Sequence, residues 1–105
     1  MTPDLYQQVV ARAAGVCECG CKRPLRAREV DHFFGKAKAE ETLDNVWALT
    51  PDCHYAKTNN SPHRAHWLLK FIAHCGRHGY AQAGVRAQAK LEWDDAMGPR
   101  SGARA

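Results

Sequence analysis

Five side chains that could do chemistry together fall within a short window of the sequence. They are Asp31 and His32 in "EVDH", Asn45, and Cys53 and His54 in "CHYAKT". A carboxylate and an imidazole from separate segments, Asp31 and His54, can share a divalent cation and leave positions for water and for substrate oxygen atoms. The imidazole of His32 can then take a proton from water near neutral pH. The window therefore predicts a reactive site with one metal ion.

Each of these residues also has an ordinary structural explanation when it is taken alone, because a single Asp-His or Cys-His pair is usually structural or incidental. Asn45 can accept and donate at once, so it can tie a loop or fix the tautomer of an imidazole ring. Side chains alternate along a strand, so His32 is expected to point away from a cation held by Asp31. The combination within one window favours a function.

The cysteines form a second group with metal-binding chemistry. The chain has five, an odd number, and three of them lie in "CECGC". In a reducing cytosol, such clustering indicates metal ligation or buried thiols more than disulfides. Four thiolates could surround one zinc ion, and buried or free thiols fit the pattern equally well. The four are Cys17, Cys19, Cys21 and Cys53.

The first half of the chain contains the elements that must position these residues. "TPDLYQQVVARAAG" predicts a helix with Thr2 as its N-cap, Pro3 in the first turn and Gly15 at its end. "AREVDHFF" alternates and predicts a short strand that enters a loop at Gly35. "NVWALT" is interpreted as a turn or a short helical segment, and Pro51 separates it from the helix-compatible "DCHYAKTN".

The second half predicts two more helices. Ser61 and Pro62 precede "HRAHWLLKFIAHC", and "YAQAGVRAQAKLEWDDAM" is a weaker helical pattern. The apolar face of the first of these consists of Ala65, Leu68, Leu69, Ile72 and Cys75. Cys75, Trp67 and Phe71 are predicted to be core residues rather than ligands or base-stacking residues. Residues 97–105 are expected to form a disordered tail.

Length and composition favour one small domain over residues 1–96. With 105 residues, 45% of them hydrophobic and 25% charged, the chain should fold, although its core is marginal unless a metal or a partner stabilises it. It has no apolar run of roughly 18 residues and no secretory leader, so we expect no membrane contact and a cytoplasmic location.

The net charge of +4 is unevenly distributed. No acidic residue lies between Asp52 and Glu92, whereas six lysines and arginines do. Such a stretch would attract a polyanion such as the phosphate backbone of DNA, and an ordinary solvated basic face is an equally good explanation. Lys57 and Arg64 are the residues that we expect to contact phosphates.

The spacing of "EVDH", Asn45 and "CHYAKT" resembles the HNH endonuclease motif. The resemblance covers residues 17–60, and "SPHRAHWLLKFIAHCGRHGY" is similar to the continuation in a phage and prophage branch of that family. It implies an α+β fold, namely a ββα-metal domain of two strands packed on a helix, here with flanking N- and C-terminal helices. It also implies a bacterial or phage-infected cell as the location.

The resemblance implies a role for each motif residue. His32 would be the general base that activates water, and Asp31 and His54 would bind the catalytic Mg²⁺ or Mn²⁺, with Ni²⁺ a further candidate. Asn45 would hold the loop that orients His32, and DNA would be the substrate. Many relatives hold a structural zinc with two C-x-x-C pairs, a pattern from which this chain departs because Thr50 stands three residues before Cys53.

Two alternatives from other classes stay open. One is a zinc-ribbon-like module that binds nucleic acid without cutting it. The other is a phage assembly protein that is held together by metal. The sequence determines neither the sequence preference of a nuclease nor the oligomeric state of the chain.

Overall fold

A computed structural model describes residues 1–26, 29–35, 41–59 and 64–97. It shows an α+β protein with four helices and one two-stranded antiparallel sheet among these residues. The contacts group the chain into two compact units, Met1–Ser61 and Pro62–Ala105. A single domain over residues 1–96 stays a prediction, and most of the predicted tail lies outside the described residues.

The first helix, α1, spans Pro3–Ala13 and begins as the sequence predicts. The Oγ1 atom of Thr2 accepts the N–H of Leu5 at 3.1 Å, which satisfies a donor that the first helical turn leaves unpaired. Ala14 caps the C-terminus of the helix with a left-handed φ of 51°, and Gly15 follows with a φ of 80°. The stop therefore begins one residue before the predicted glycine.

The sheet consists of β1, Glu29–His32, and β2, Val46–Leu49. Glu29 lies opposite Leu49 and His32 opposite Val46 in the antiparallel register. The predicted strand at "EVDH" is confirmed. The interpretation of "NVWALT" as a turn or helical segment was wrong, because its central four residues form β2.

The second helix, α2, spans Pro51–Asn59 and packs against both strands. Pro51 starts this helix rather than merely ending the preceding segment, since its fixed φ suits the first helical position. Thr50 acts before it: its Oγ1 atom accepts the N–H of Cys53 at 3.2 Å, and its carbonyl accepts the N–H of His54 at 2.9 Å. Both site residues thus belong to the first turn of α2.

A buried ion pair joins α1 to the segment before the sheet. The guanidinium of Arg12 donates to the carboxylate of Glu18 from Nε at 2.6 Å and from one terminal nitrogen at 2.8 Å. It also donates to the carbonyls of Leu43 and Val46, at 2.6 and 2.7 Å. Glu18 in turn accepts the N–H of Ala48 at 2.9 Å. One arginine therefore fixes three segments around β2.

The second unit contains α3, Arg64–His78, and α4, Ala81–Met97, which form a helical hairpin. Gly79, with a φ of 73°, permits the turn between them. The predicted core residues Trp67, Phe71 and Cys75 are buried, whereas Leu69 is 55% exposed and does not belong to the core. The predicted start at Ser61 and Pro62 lies outside the described residues. In the described ranges, no helix has the length and apolar character needed to cross a membrane.

Candidate metal and catalytic site

Asp31 is the centre of the contacts at the end of β1. Its carboxylate is almost fully buried, and three donors or potential donors surround it. The Nε1 atom of Trp47 donates to Oδ2 at 2.9 Å, and the ammonium of Lys57 lies 3.0 Å from the same oxygen. Oδ1 faces the Nε2 atom of His54 at 3.3 Å. The structure thus brings together Asp31 and His54, the pair singled out as metal ligands.

Glu29 is a further site residue, one that the sequence did not reveal. It precedes Asp31 by two positions, so both side chains project from the same face of β1. Its Oε1 atom lies 2.6 Å from Nδ1 of His54. When Nδ1–H donates to this carboxylate, the lone pair of His54 is on Nε2 and faces Asp31. Such an outer carboxylate typically fixes the orientation of a metal-binding histidine.

His32 projects to the other side of β1, as the alternation of side chains predicts. Its Nε2 atom lies 3.2 Å from Oε2 of Glu41, a second residue that the sequence did not single out. Desolvation raises the pKa of the Glu41 carboxyl, but hydrogen bonds with His32 and with the amino group of Met1 outweigh it and hold that pKa below its usual value. The ionised Glu41 can accept a hydrogen bond from Nε2–H of His32, and in that tautomer the lone pair is on Nδ1.

Asn45 joins the end of the loop to its start. Its Oδ1 atom accepts the N–H of Phe34 at 3.0 Å, and its Nδ2 atom donates to the carbonyl of the same residue at 2.8 Å. The carbonyl of Asn45 also accepts the N–H of Phe33 at 2.8 Å. These bonds fix the backbone directly after His32. The catalytic role assigned to Asn45 stays a prediction, and its loop-holding contacts are now explicit.

The predicted phosphate contacts, Lys57 and Arg64, both lie close to acidic side chains of the same chain. Lys57 lies on Asp31, with its Nζ atom 5.1 Å from the centre of the Phe33 ring. Arg64 belongs to the second unit, where it lies 3.5 Å from the carboxylate of Asp94. Contact of either residue with DNA stays a prediction.

The four cysteines of the first unit converge on one point and could hold a metal ion. The Sγ atoms of Cys17 and Cys19 are 3.5 Å apart, and that of Cys53 is 3.7 Å from those of Cys19 and Cys21. All four lie within 4.8 Å of one another. Sulfur atoms around a tetrahedral zinc, each about 2.3 Å from the ion, would be about 3.8 Å apart. The spacing therefore fits four-coordinate zinc.

The backbone of the Cys turn, residues 17–23, explains how closely spaced cysteines can face one centre. The N–H of Cys17 donates to the carbonyl of Arg23 at 2.9 Å, which closes the turn. Gly20, between Cys19 and Cys21, has a φ of 96°, and Lys22, directly after Cys21, has a φ of 67°, so the backbone can fold back within the turn. Cys53 approaches from the first turn of α2.

Hydrogen bonding within this cluster divides the thiols into two kinds. The contact with Cys19 lowers the pKa of Cys17 to about 4. The same contact raises the pKa of Cys19, and desolvation raises that of Cys53. The backbone N–H of Thr50 lies 3.4 Å from the Cys17 sulfur and favours the thiolate there. Both contacts favour the thiolate of Cys17, which is the form that binds metal.

Comparisons with protein-family models, with curated proteins and with solved structures found no match. Inferences about function therefore depend on the residues and contacts of this chain.

Proposed function

We propose that the protein is a divalent-metal-dependent endonuclease of the HNH type that hydrolyses phosphodiester bonds in DNA. The observation that carries the proposal is the convergence of Asp31 and His54, from β1 and from the first turn of α2, at 3.3 Å. Asn45 fixes the backbone at Phe34, two residues after His32. Under this proposal, the sheet and α2 of the first unit would bring the metal ligands, the base and the loop anchor together.

The donor set fits a divalent cation. Two ligands at adjacent positions of an ion, each about 2.1 Å from it, are about 3 Å apart. The separation of Oδ1 of Asp31 from Nε2 of His54, 3.3 Å, is close to this value. One carboxylate oxygen and one imidazole nitrogen suit Mg²⁺ or Mn²⁺, and the imidazole also admits Ni²⁺. When bound, the ion would supply positive charge to the scissile phosphate and to the departing oxygen.

His32 would provide the base. In the tautomer that donates from Nε2–H to Glu41, Nδ1 could take a proton from the attacking water. The buried position of Asp31 excludes water from the Oδ2 side, where Trp47 and Lys57 already bind. The chain therefore separates the residues that hold the cation from the residue that makes the nucleophile. In this proposal, a zinc ion at the Cys turn is structural and takes no part in cleavage.

The direct test is the nicking of supercoiled plasmid in Mg²⁺ or Mn²⁺, with EDTA as the blank. We expect His32→Ala to lower the rate by about 10² to 10⁴ and to leave Mn²⁺ affinity unchanged, because it removes a base and no ligand. Asp31→Ala and His54→Ala should lose both cleavage and Mn²⁺ binding. Cleavage by His32→Ala within a few fold of the unchanged protein would exclude this assignment.

A second candidate function is a zinc-stabilised module that binds nucleic acid without cutting it. The convergence of four cysteine sulfurs favours this candidate, because such a site needs no catalytic metal. Under this hypothesis, the zinc-loaded protein binds duplex DNA equally well with and without added Mn²⁺, no nicks appear, and His32→Ala has no effect. The plasmid assay and a binding assay on the same proteins separate the two candidates.

A further inference from the structure

Lys57 occupies an unusual position for a lysine near a cation site. Its Nζ atom lies 3.0 Å from Oδ2 of Asp31, and its side chain is only 16% exposed. Its ammonium also lies over the Phe33 ring, 5.1 Å from the centroid. A lysine head group is normally in water, so this placement reflects attraction to a buried carboxylate and to an aromatic face.

Two residues besides Lys57 also contact the carboxylate of Asp31 and orient it. The Nε1 atom of Trp47, which is fully buried, donates to Oδ2 at 2.9 Å and holds the carboxylate from the core side. His54 lies on the other oxygen. What Lys57 adds to the carboxylate is therefore mainly a full positive charge. A divalent cation that shared Oδ1 with His54 would lie close to that charge and would be repelled by it.

We propose that Lys57 is a built-in counter-cation of Asp31 that competes with the divalent ion and sets its affinity. This inference rests on the proposed function, because it requires Asp31 and His54 to be the ligands. The ammonium neutralises the buried carboxylate until a doubly charged ion displaces it. The lysine thereby raises the concentration of metal at which the site fills, and it protects the carboxylate from being an unpaired buried charge.

The test is calorimetric titration of Mn²⁺ into protein whose Asp31–His54 site is free of metal. Any zinc at the Cys turn is retained. Lys57→Met keeps the length and the apolar stem of the side chain but removes the charge. We expect it to bind Mn²⁺ roughly tenfold or more tightly than the unchanged protein, since one repulsive unit charge is lost beside the ion. Lys57→Arg, which keeps a cation, should bind as the unchanged protein does. Lys70→Met, which removes the same net charge from a lysine that also lies over an aromatic ring, that of Trp67 in the second unit, should change the affinity little.

Asp31→Asn distinguishes failure of this inference from failure of the proposed function. If Asp31→Asn abolishes Mn²⁺ binding but Lys57→Met binds no more tightly than the unchanged protein, Lys57 does not compete and only the inference is overturned. If Asp31→Asn binds Mn²⁺ normally, or if none of the proteins binds it, the metal site itself is wrong and both proposals fall. Thermal unfolding of each variant shows that a change in affinity is not a loss of fold.

Discussion

At the scale of single residues, Glu29 illustrates what the sequence can and cannot reveal about this site. The sequence singled out Asp31 and His54 because a carboxylate and an imidazole from separate segments can share a divalent cation, and the structure places them 3.3 Å apart. Glu29 carries the same chemistry, yet it is one of eleven acidic residues and no spacing rule selects it. Only the pairing of β1 with β2 and the packing of α2 bring it to Nδ1 of His54.

We expect Glu29→Gln to weaken Mn²⁺ binding by about 10- to 100-fold, because the carboxylate orients His54 and increases the basicity of its Nε2 atom. Calorimetry on the isolated protein measures this directly. Glu41→Gln is the matched control: it makes the same change at a carboxylate that lies on His32, so Mn²⁺ affinity should stay constant while nicking slows. Equal Mn²⁺ affinity in Glu29→Gln and in the unchanged protein would contradict the orienting role.

At the scale of elements, the Cys turn shows how local backbone geometry brings together side chains whose direction the sequence leaves open. The pattern C-x-C-x-C is compatible with zinc or with buried thiols, because sequence spacing does not give the direction of the side chains. In the folded turn, where Gly20 and Lys22 have positive φ, the four sulfur atoms lie within 4.8 Å of one another. Cys53 completes the group because the Thr50 cap starts α2 at the right place.

If the cluster holds zinc, the purified protein should contain about one zinc per chain, and both Cys19→Ser and Cys53→Ser should lower this content and the temperature of unfolding. Metal analysis by plasma mass spectrometry and thermal unfolding give the two measurements. Cys75→Ala should retain full zinc content, since that thiol lies in the core of the second unit. Full zinc content in both serine variants would mean that the four cysteines do not hold the zinc and are thiols without a metal.

The strand β2 is the element that the sequence misassigned, and the reason is physical. All four of its residues, Val46 to Leu49, are fully buried, so neither the alternation of a half-exposed strand nor a helical period is visible. Its partner β1 alternates and was recognised. A run of four apolar residues acquires its conformation from the tertiary contacts that surround it, here α1, α2 and the Arg12 network.

The Arg12 network predicts a large stability difference between two arginines. Arg12→Met should lower the free energy of unfolding by about 3–5 kcal/mol, because it leaves the buried carboxylate of Glu18 without its counter-charge. Arg23→Met is the control, since its pair with Asp52 is 61% and 87% exposed and such pairs contribute about 0–1 kcal/mol. Urea unfolding of both variants tests this. Similar losses would mean that the buried pair contributes no more than a surface pair.

At the scale of the whole molecule, the basic stretch is less free than its sequence suggests. The chain carries a net charge of +4, and the sequence shows only that acidic residues are absent between Asp52 and Glu92. The structure adds partners from outside that interval. Lys57 lies on Asp31, while Arg64 and Lys90 both lie on Asp94, at 3.5 and 3.1 Å. A count of charges along the chain does not reveal this compensation, because the Lys57 and Arg64 pairs depend on how the elements pack and the Lys90 pair depends on helical i,i+4 spacing.

The pairing of Arg64 with Asp94 gives a prediction about DNA affinity under the proposed function. Asp94→Asn should tighten binding to duplex DNA at low salt, because it releases two cations from an exposed pair that costs little to break. Arg64→Gln should weaken binding and should flatten the log-log salt slope by about 0.9, the effect of one lost phosphate contact. Fluorescence anisotropy with a labelled duplex over a range of salt concentrations measures both. In the double variant, the gain from Asp94→Asn should be smaller than in the single one, since only Lys90 is left to respond. Slopes that are identical in all four proteins would mean that this part of the second unit is an ordinary solvated surface and that DNA, if bound, contacts other residues.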